Sequence, residues 1–185
     1  SVQFISKLIS FLNIGLAGFI MTSLSARFVF SSIGSEGGAF YHIKSSPISL
    51  RRFLLYKYLF YAIPFTILSL TLIIMSNKIL HVEGPMWWIS VSTNLFITWI
   101  VVGLALAFGA IYADFKAENK TVAMGSMGAI LFLLFATAFQ IIIIFIGANP
   151  IYRIVKIWIN NYAFNTSDFY LLILWIIISV LLSIS

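Results

Sequence analysis

Long apolar runs separated by short polar stretches are the main pattern of this chain. A bilayer core about 30 Å thick is crossed by roughly 20 apolar residues in a helix. Five runs of about that length are present. They predict an all-α integral membrane protein, in which residues 1–185 form one transmembrane helical domain. The predicted spans are Leu8–Phe30, Phe53–Met75, Trp87–Ile111, Val122–Ile146 and Phe169–Ile184.

Composition supports the same class. Apolar residues make up 62% of the chain and charged residues 9%, whereas a soluble domain has about 25% charged residues. This balance excludes a soluble enzyme, a disordered tail and a nucleic-acid-binding domain, and it makes membrane lipids the expected surroundings. Because the chain begins without Met and ends in an apolar run, we expect it to be part of a longer protein.

The distribution of basic residues predicts the orientation in the membrane. Loops rich in Lys and Arg stay on the cytoplasmic side. The link between the first two spans is the most basic one and is therefore predicted to be cytoplasmic, as is the link after the third span, with Lys116 and Lys120. The basic residues in or beside the first link are Arg27, Lys44, Arg51, Arg52 and Lys57.

Capping residues predict a bent structure in this first cytoplasmic loop. Ser35 can cap a short helix that has Glu36 in its first turn. Ser46 and Pro47 have the residue types of an N-cap and a first helical position, so the next helix is predicted to begin there. The result would be an elbow at the cytoplasmic face, with a cytoplasmic end of the second span close by.

A second capping pattern occurs after the fourth span. Asn149 and Pro150 again have the types of an N-cap and a first helical position, and apolar residues then recur at helical spacing up to Tyr162. This pattern predicts a separate amphipathic helix in the outer interface. Trp87 and Trp88 are expected to anchor the third span at the same surface.

Few polar residues fall within the spans. Lys57 lies about one turn into the second span, where its long side chain is expected to reach the headgroups. Asn13, Asn94 and Gln140 are expected to bond neighbouring helices, with a role in substrate binding as the alternative. The near absence of charge from the spans argues against a proton-coupled pump.

Small residues indicate where helices can approach closely. Gly103, Ala107 and Ala110 share one face of the third span, and Gly125 and Ala129 begin the fourth. Packing within the chain is the favoured interpretation of both faces. A dimer interface would use the same residue types, and the sequence leaves that alternative open.

The chain lacks the common motifs of catalysis and cofactor binding. It contains no G-x-x-x-x-G-K-[ST], no H-E-x-x-H, no G-x-S-x-G and no cysteine. His42 and His81 are predicted on opposite sides of the membrane and could not share a metal ion. We therefore expect no catalytic residue, no metal and no cofactor in this chain.

Two cytoplasmic segments resemble those of a known family. The first is E-G-G-A-F-Y-H-I-K-S-S-P-I-S at residues 36–49, followed by Lys57, and the second is G-A-I-Y-A-D-F at residues 109–115, with Asn119. Together they resemble segments of the membrane permease subunits of ABC exporters of the ABC-2 type. Ala113 stands where that pattern has proline, and Tyr41 where it often has tryptophan. The resemblance extends over most of the chain and corresponds to the C-terminal half of a permease.

The resemblance implies a membrane subunit that exports a substrate from a prokaryotic cell across its plasma membrane. A separate cytosolic P-loop ATPase would bind ATP–Mg and hydrolyse it, so this chain would not be an enzyme, and two permease halves or two copies would pair. The resemblance places the ATPase contact in two loops. The candidate coupling loop comprises Glu36, Gly37, Phe40, Tyr41, Lys44, Pro47, Arg51 and Arg52, and the second inner loop comprises Asp114, Phe115, Lys116, Glu118 and Asn119.

Other interpretations of the same features remain open. The basic loop could serve only to anchor the helices at anionic lipid. A non-transporting scaffold or regulatory subunit of a larger membrane complex would have the same composition, small-residue faces and basic loop. A membrane enzyme is third, because no cluster of titratable groups is evident in the sequence.

Overall fold

The computed structural model describes residues 2–36, 49–82, 84–112 and 126–160. Every regular element in these ranges is a helix. Helix α1 continues through a π-helical segment, Ala26–Phe30, into the one-turn helix α2. The helices are α1 (Val2–Ser25), α2 (Ser31–Gly34), α3 (Leu50–Ile79), α4 (Pro85–Ile111) and α5 (Met127–Asn160).

Within the described ranges, four helical stretches are long and apolar enough to cross a membrane. They confirm the all-α class and the membrane association predicted from the sequence. The fifth predicted span, Phe169–Ile184, falls on residues for which no structure is described. The four stretches are Leu12–Gly34, Arg51–Ile79, Met86–Ile111 and Met127–Phe145.

The boundaries around the first loop differ from the prediction. Ser35 follows the end of α2, where its backbone N–H donates to the carbonyl of Ser31 at 3.1 Å. The short helix that it was predicted to cap falls on residues 37–48, for which no structure is described. Helix α3 begins at Leu50, after Ser49 in extended backbone, and not at Ser46–Pro47. The first helix extends beyond Phe30 because Ile33, one turn later, is packed in the core.

The prediction that a separate helix begins at Asn149–Pro150 is wrong, because the backbone continues one helix through these residues. Helix α5 runs without a break from Met127 to Asn160. A proline inside a helix removes one backbone hydrogen bond and strains the preceding turn, but it does not have to end the helix, and α3 likewise continues across Pro64. The location of the α5 extension in a membrane interface remains a prediction.

The four long helices form an antiparallel bundle with α4 at its centre. Helix α4 packs against α1, α2, α3, α5 and the π-helical segment. Contacts of Gly18 with Ile97 and of Gly109 with Phe30 show that α1 and α4 run in the same direction. Helices α3 and α5 run the opposite way, since Asn13 near the start of α1 meets Asn77 near the end of α3.

The two ends of the bundle differ in charge. We call the end that carries Arg27, Arg51, Arg52 and Lys57 the basic end, and the opposite end, where α3 turns into α4, the far end. Phe30 stacks on Phe132 in the apolar core nearer the basic end, with ring centroids 6.3 Å apart. Large apolar side chains on the outside of α3 and α5 are exposed, as expected of surfaces that face lipid.

Candidate functional site at the basic end

An ion pair connects α2 to α3 at the basic end. The Lys57 ammonium donates to a carboxylate oxygen of Glu36 and, at 2.8 Å, to the backbone carbonyl of Ser32. The Lys57 side chain is 10% exposed and that of Glu36 is 26% exposed. The pair is therefore largely enclosed by protein, and it is the only salt bridge among the residues whose structure is described.

Lys57 was expected to extend its side chain to the headgroups, and in the structure its ammonium contacts Glu36 and Ser32. Lys57 is the seventh residue after Leu50, roughly 10 Å along the helix at 1.5 Å per residue. The C-terminal carbonyls of a helix lack intrahelical donors, and in the one-turn α2 the Ser32 carbonyl obtains one from Lys57. The ammonium also lies 5.4 Å from the centre of the Phe53 ring, within cation–π range.

Serine side chains shape the segment that carries this carbonyl. Ser31 donates to the Arg27 carbonyl at 2.6 Å, and Ser32 donates to the Val29 carbonyl at 2.6 Å. Ser35 in turn donates to the Ser32 carbonyl at 2.9 Å. Serine and threonine hydroxyls that bond back to the preceding turn commonly bend helices, and π-helical turns occur often at functional sites. The serine run therefore helps to position the Ser32 carbonyl toward α3.

The structure brings together only part of the predicted coupling loop. Glu36 is in contact with Lys57, while Arg51 and Arg52 are exposed on the first turn of α3. The other predicted members of this loop, and the whole second inner loop, belong to the ranges 37–48 and 113–125, for which no structure is described. They are Gly37, Phe40, Tyr41, Lys44 and Pro47, with Asp114, Phe115, Lys116, Glu118 and Asn119.

The polar residues within the spans bond neighbouring helices, as predicted. Asn94 of α4 donates to the Ser69 hydroxyl of α3 at 2.7 Å. Gln140 of α5 donates to the backbone carbonyl of Gly15 in α1 at 2.6 Å. The first bond joins α3 to α4 and the second joins α1 to α5.

The far end has its own polar network. Asn13 contacts Ser76 and Asn77 of α3, and Asn77 donates to Ser90 of α4 at 2.6 Å. Sequence analysis identified Asn13 but not its partners. In the sequence, Ser76, Asn77 and Ser90 are visible only as polar residues that interrupt apolar runs. That pattern does not show that they meet at one interface.

We expect Asn77→Ala to destabilise the bundle by about 1–2 kcal/mol, because interhelical hydrogen bonds in membranes contribute roughly 0.6–1.7 kcal/mol each and Asn77 takes part in two. Unfolding of the purified protein in detergent measures the change. Thr71→Ala on the same helix is the matched control, since Thr71 is exposed and bonds only the Ile67 carbonyl of its own helix. Equal stability of the two variants would contradict the assignment.

The predicted small-residue face of α4 is not a seam within the bundle. Ala107 and Ala110 are exposed. A Cβ added to Gly103 would lie 3.6 Å from the Tyr58 ring, which is an ordinary contact. The close approach occurs instead at Gly109, where an added Cβ would lie 2.5 Å from the carbonyl oxygen of Phe30. Ala129 of α5 is buried as expected.

A protein-family model described as "Putative ATP-binding cassette" matches residues 1–185. The chain belongs to this family. Membership of the ATP-binding cassette family, together with the four membrane-length helices, indicates a transporter complex with partner subunits at a membrane. No curated protein and no solved structure gave a significant match.

The family description corrects three expectations. It names an ATP-binding cassette and not an ABC-2 permease, so by that description the predicted permease family is wrong. The predicted function as a permease subunit served by a separate ATPase is wrong on the same ground. The expectation that the chain is not an enzyme is also wrong by this description, because it places ATP binding in the family to which the chain itself belongs.

The residues at hand do not fit a nucleotide–Mg site. A P-loop holds phosphates with a glycine-rich loop and its lysine, and the sequence has no such loop. In the ranges with described structure no three His, Asp or Glu side chains cluster as metal ligands, and Lys57 is already paired with Glu36.

Proposed function

We propose that this chain is a membrane-embedded helical part of an ABC transporter complex, and that its Glu36–Lys57 pair holds the basic end in a defined conformation while the complex works. The pair is the observation that carries the proposal. Ionisable groups within membrane helices are costly and are usually retained for function. Here a single enclosed pair connects the end of the first span to the second.

The exposed arginines support a cytoplasmic position of the basic end. Arg27, Arg51 and Arg52 are all exposed there. Basic residues beside a span stay on the cytoplasmic side and are attracted to anionic lipid. We place this end at the cytoplasmic face of a prokaryotic plasma membrane.

The position of the pair also suggests where partner subunits act. Segment 37–48 joins α2 to α3 in the sequence, so a partner that binds this segment pulls on both helices at the point where the pair connects them. Glu36 and Ser49 are the described residues that flank this segment in the sequence, and Arg51 and Arg52 follow on the first turn of α3. The scaffold alternative gains no support from the family description.

Purification of the full-length protein with its native partners tests this function. We expect Mg-ATP hydrolysis in the complex, reduced at least fivefold by Lys57→Met with unchanged subunit composition. Lys78→Met is the matched control, because Lys78 is an exposed lysine near the other end of the same helix. Photolabelling with azido-ATP identifies the chain that binds the nucleotide.

Two results would contradict the proposal. One is a purified complex without any ATP hydrolysis or photolabelled chain. The other is a Lys57→Met complex whose hydrolysis equals that of the wild type, since the pair would then have no part in the working cycle.

A further inference from the structure

Buried polar groups are distributed unevenly along the central helix α4. In its first half, toward the far end, Ser90, Thr93, Asn94 and Thr98 are buried. In its second half, toward the basic end, the buried side chains of Ile100–Leu106 are all apolar. Along α4, the buried polar side chains therefore lie toward the far end and the buried apolar ones toward the basic end, whereas α1 and α2 also bury Thr22, Ser25, Ser31 and Ser32 nearer the basic end.

The buried polar side chains of this half, which we call the polar tract, form two hydrogen-bonded clusters. At the far end, Asn77 bonds Ser90 and contacts Asn13. Closer to the middle, Ser69 of α3 is bonded by Asn94 at 2.7 Å and lies 2.8 Å from the Thr98 hydroxyl. Polar groups thus extend from the far end to the midpoint of α4.

The cluster near the middle of α4 consists of Ser69, Asn94 and Thr98, and each of its hydrogen-bond donors already has an acceptor. Thr98 lies 2.8 Å from the Asn94 carbonyl of its own helix and can donate its single proton there. The Ser69 hydroxyl is then free to donate to Thr98 while it accepts from the Asn94 amide. Every donor in this cluster of three side chains has a partner, so any further bond must be accepted.

Several acceptors in the tract lack a partner. The side-chain oxygens of Asn94, Thr93 and Gln140 are buried and have no hydrogen-bond partner in the structure. Asn94 is 0% exposed, Thr93 3% and Gln140 4%. Buried acceptors without a donor are unfavourable, and in membrane proteins ordered water commonly supplies the donor.

We propose that this tract binds water and other small neutral hydrogen-bond donors, which enter from the far end and reach Asn94. The chemistry of the free groups selects such ligands. The free oxygens of Asn94 and Gln140 are amide carbonyls, which only accept hydrogen bonds, and the Thr93 hydroxyl can both accept and donate one. The apolar layer of Val101, Val102 and Phe132, all 0% exposed, closes the tract toward the basic end.

Single cysteines test the proposed hydration. The 185 residues contain no cysteine, so each introduced thiol is the only one within them. Thiols react as thiolates and are inert when buried in apolar surroundings. We expect Thr93→Cys in the full-length protein to react with aqueous silver ion at least tenfold faster than Ala105→Cys. Ala105 is the control because it lies on the same helix and is also buried, at 0% exposure against 3% for Thr93.

The side of entry is tested with the same variants in sealed liposomes. Silver ion added to the face where the far end emerges should modify Thr93→Cys, and the same ion confined to the basic-end face should not. Reaction of Thr93→Cys no faster than that of Ala105→Cys would overturn the proposal. Equal reaction from both faces would overturn the closure by the apolar layer.

A measurement on the unmodified protein does not depend on how the variants fold. Water-edited solid-state NMR in bilayers reports the transfer of magnetisation from water to individual side chains. We expect transfer to the Asn94 and Gln140 amides to be at least threefold faster than to the Val101 methyl groups. Equal rates for all three would show that water does not favour the polar tract and would overturn the proposal.

Discussion

Gly109→Ala will destabilise the bundle, because α4 meets the backbone of the π-helical segment that follows α1 at this position. A Cβ on Gly109 would lie 2.5 Å from the Phe30 carbonyl oxygen and 3.2 Å from the Phe30 Cα. Backbone atoms cannot rotate away, so one helix has to move. Overpacking of this kind costs about 1–3 kcal/mol, which exceeds the gain of roughly 1 kcal/mol from replacing glycine by alanine in a helix.

Gly103→Ala is the matched control for this prediction. Gly103 lies on the same helix, but a Cβ there would be 3.6 Å from the Tyr58 ring, which is an ordinary contact. Only the gain in helix propensity remains, so we expect Gly103→Ala to be neutral or slightly stabilising. Thermal unfolding of the two purified variants should give shifts of opposite sign. Shifts of the same sign would mean that the π-helical segment and α4 are not in contact at Phe30.

The spans could be predicted from the sequence because each depends on a property of a single segment. An apolar run of the required length crosses a bilayer whatever it packs against, and four of the five predicted runs correspond to helices of the described structure. Helix boundaries were less predictable. Pro47 predicted a helix start three residues before the observed start at Leu50, and Pro150 predicted a helix start inside the continuous α5. The first span extends past Phe30 because Ile33 packs in the core, which no local signal shows.

The partners of polar residues depend on packing between segments, so single-segment patterns could not identify them. Lys57 meets Ser32 and Glu36, which lie 25 and 21 residues earlier in the chain. Sequence analysis placed Glu36 and Lys57 near the same face of the membrane. It assigned Lys57 to the headgroups, because a long side chain near the end of a span commonly reaches them and nothing in the sequence shows that an acceptor is closer.

Lys57→Met will destabilise the basic end, because the variant leaves the Glu36 carboxylate without its cation. Removing one member of a fully buried ion pair costs about 3–5 kcal/mol. Glu36 is 26% exposed, so solvent screens part of the charge and we expect roughly 1–3 kcal/mol. The Ser32 carbonyl loses the same donor. Unfolding of the purified protein in detergent measures the sum of both effects.

The double variant Lys57→Met with Glu36→Gln separates charge from packing. With the uncompensated charge removed, a neutral pair of similar volume should recover most of the lost stability, since ion pairs replaced by uncharged groups are often as stable as the original. Lys78→Met should leave stability unchanged, because Lys78 is exposed near the far end of the same helix. If the double variant is no more stable than Lys57→Met, the loss comes from the lysine stem and the Ser32 bond. The charge of Glu36 would then not be what holds α2 against α3.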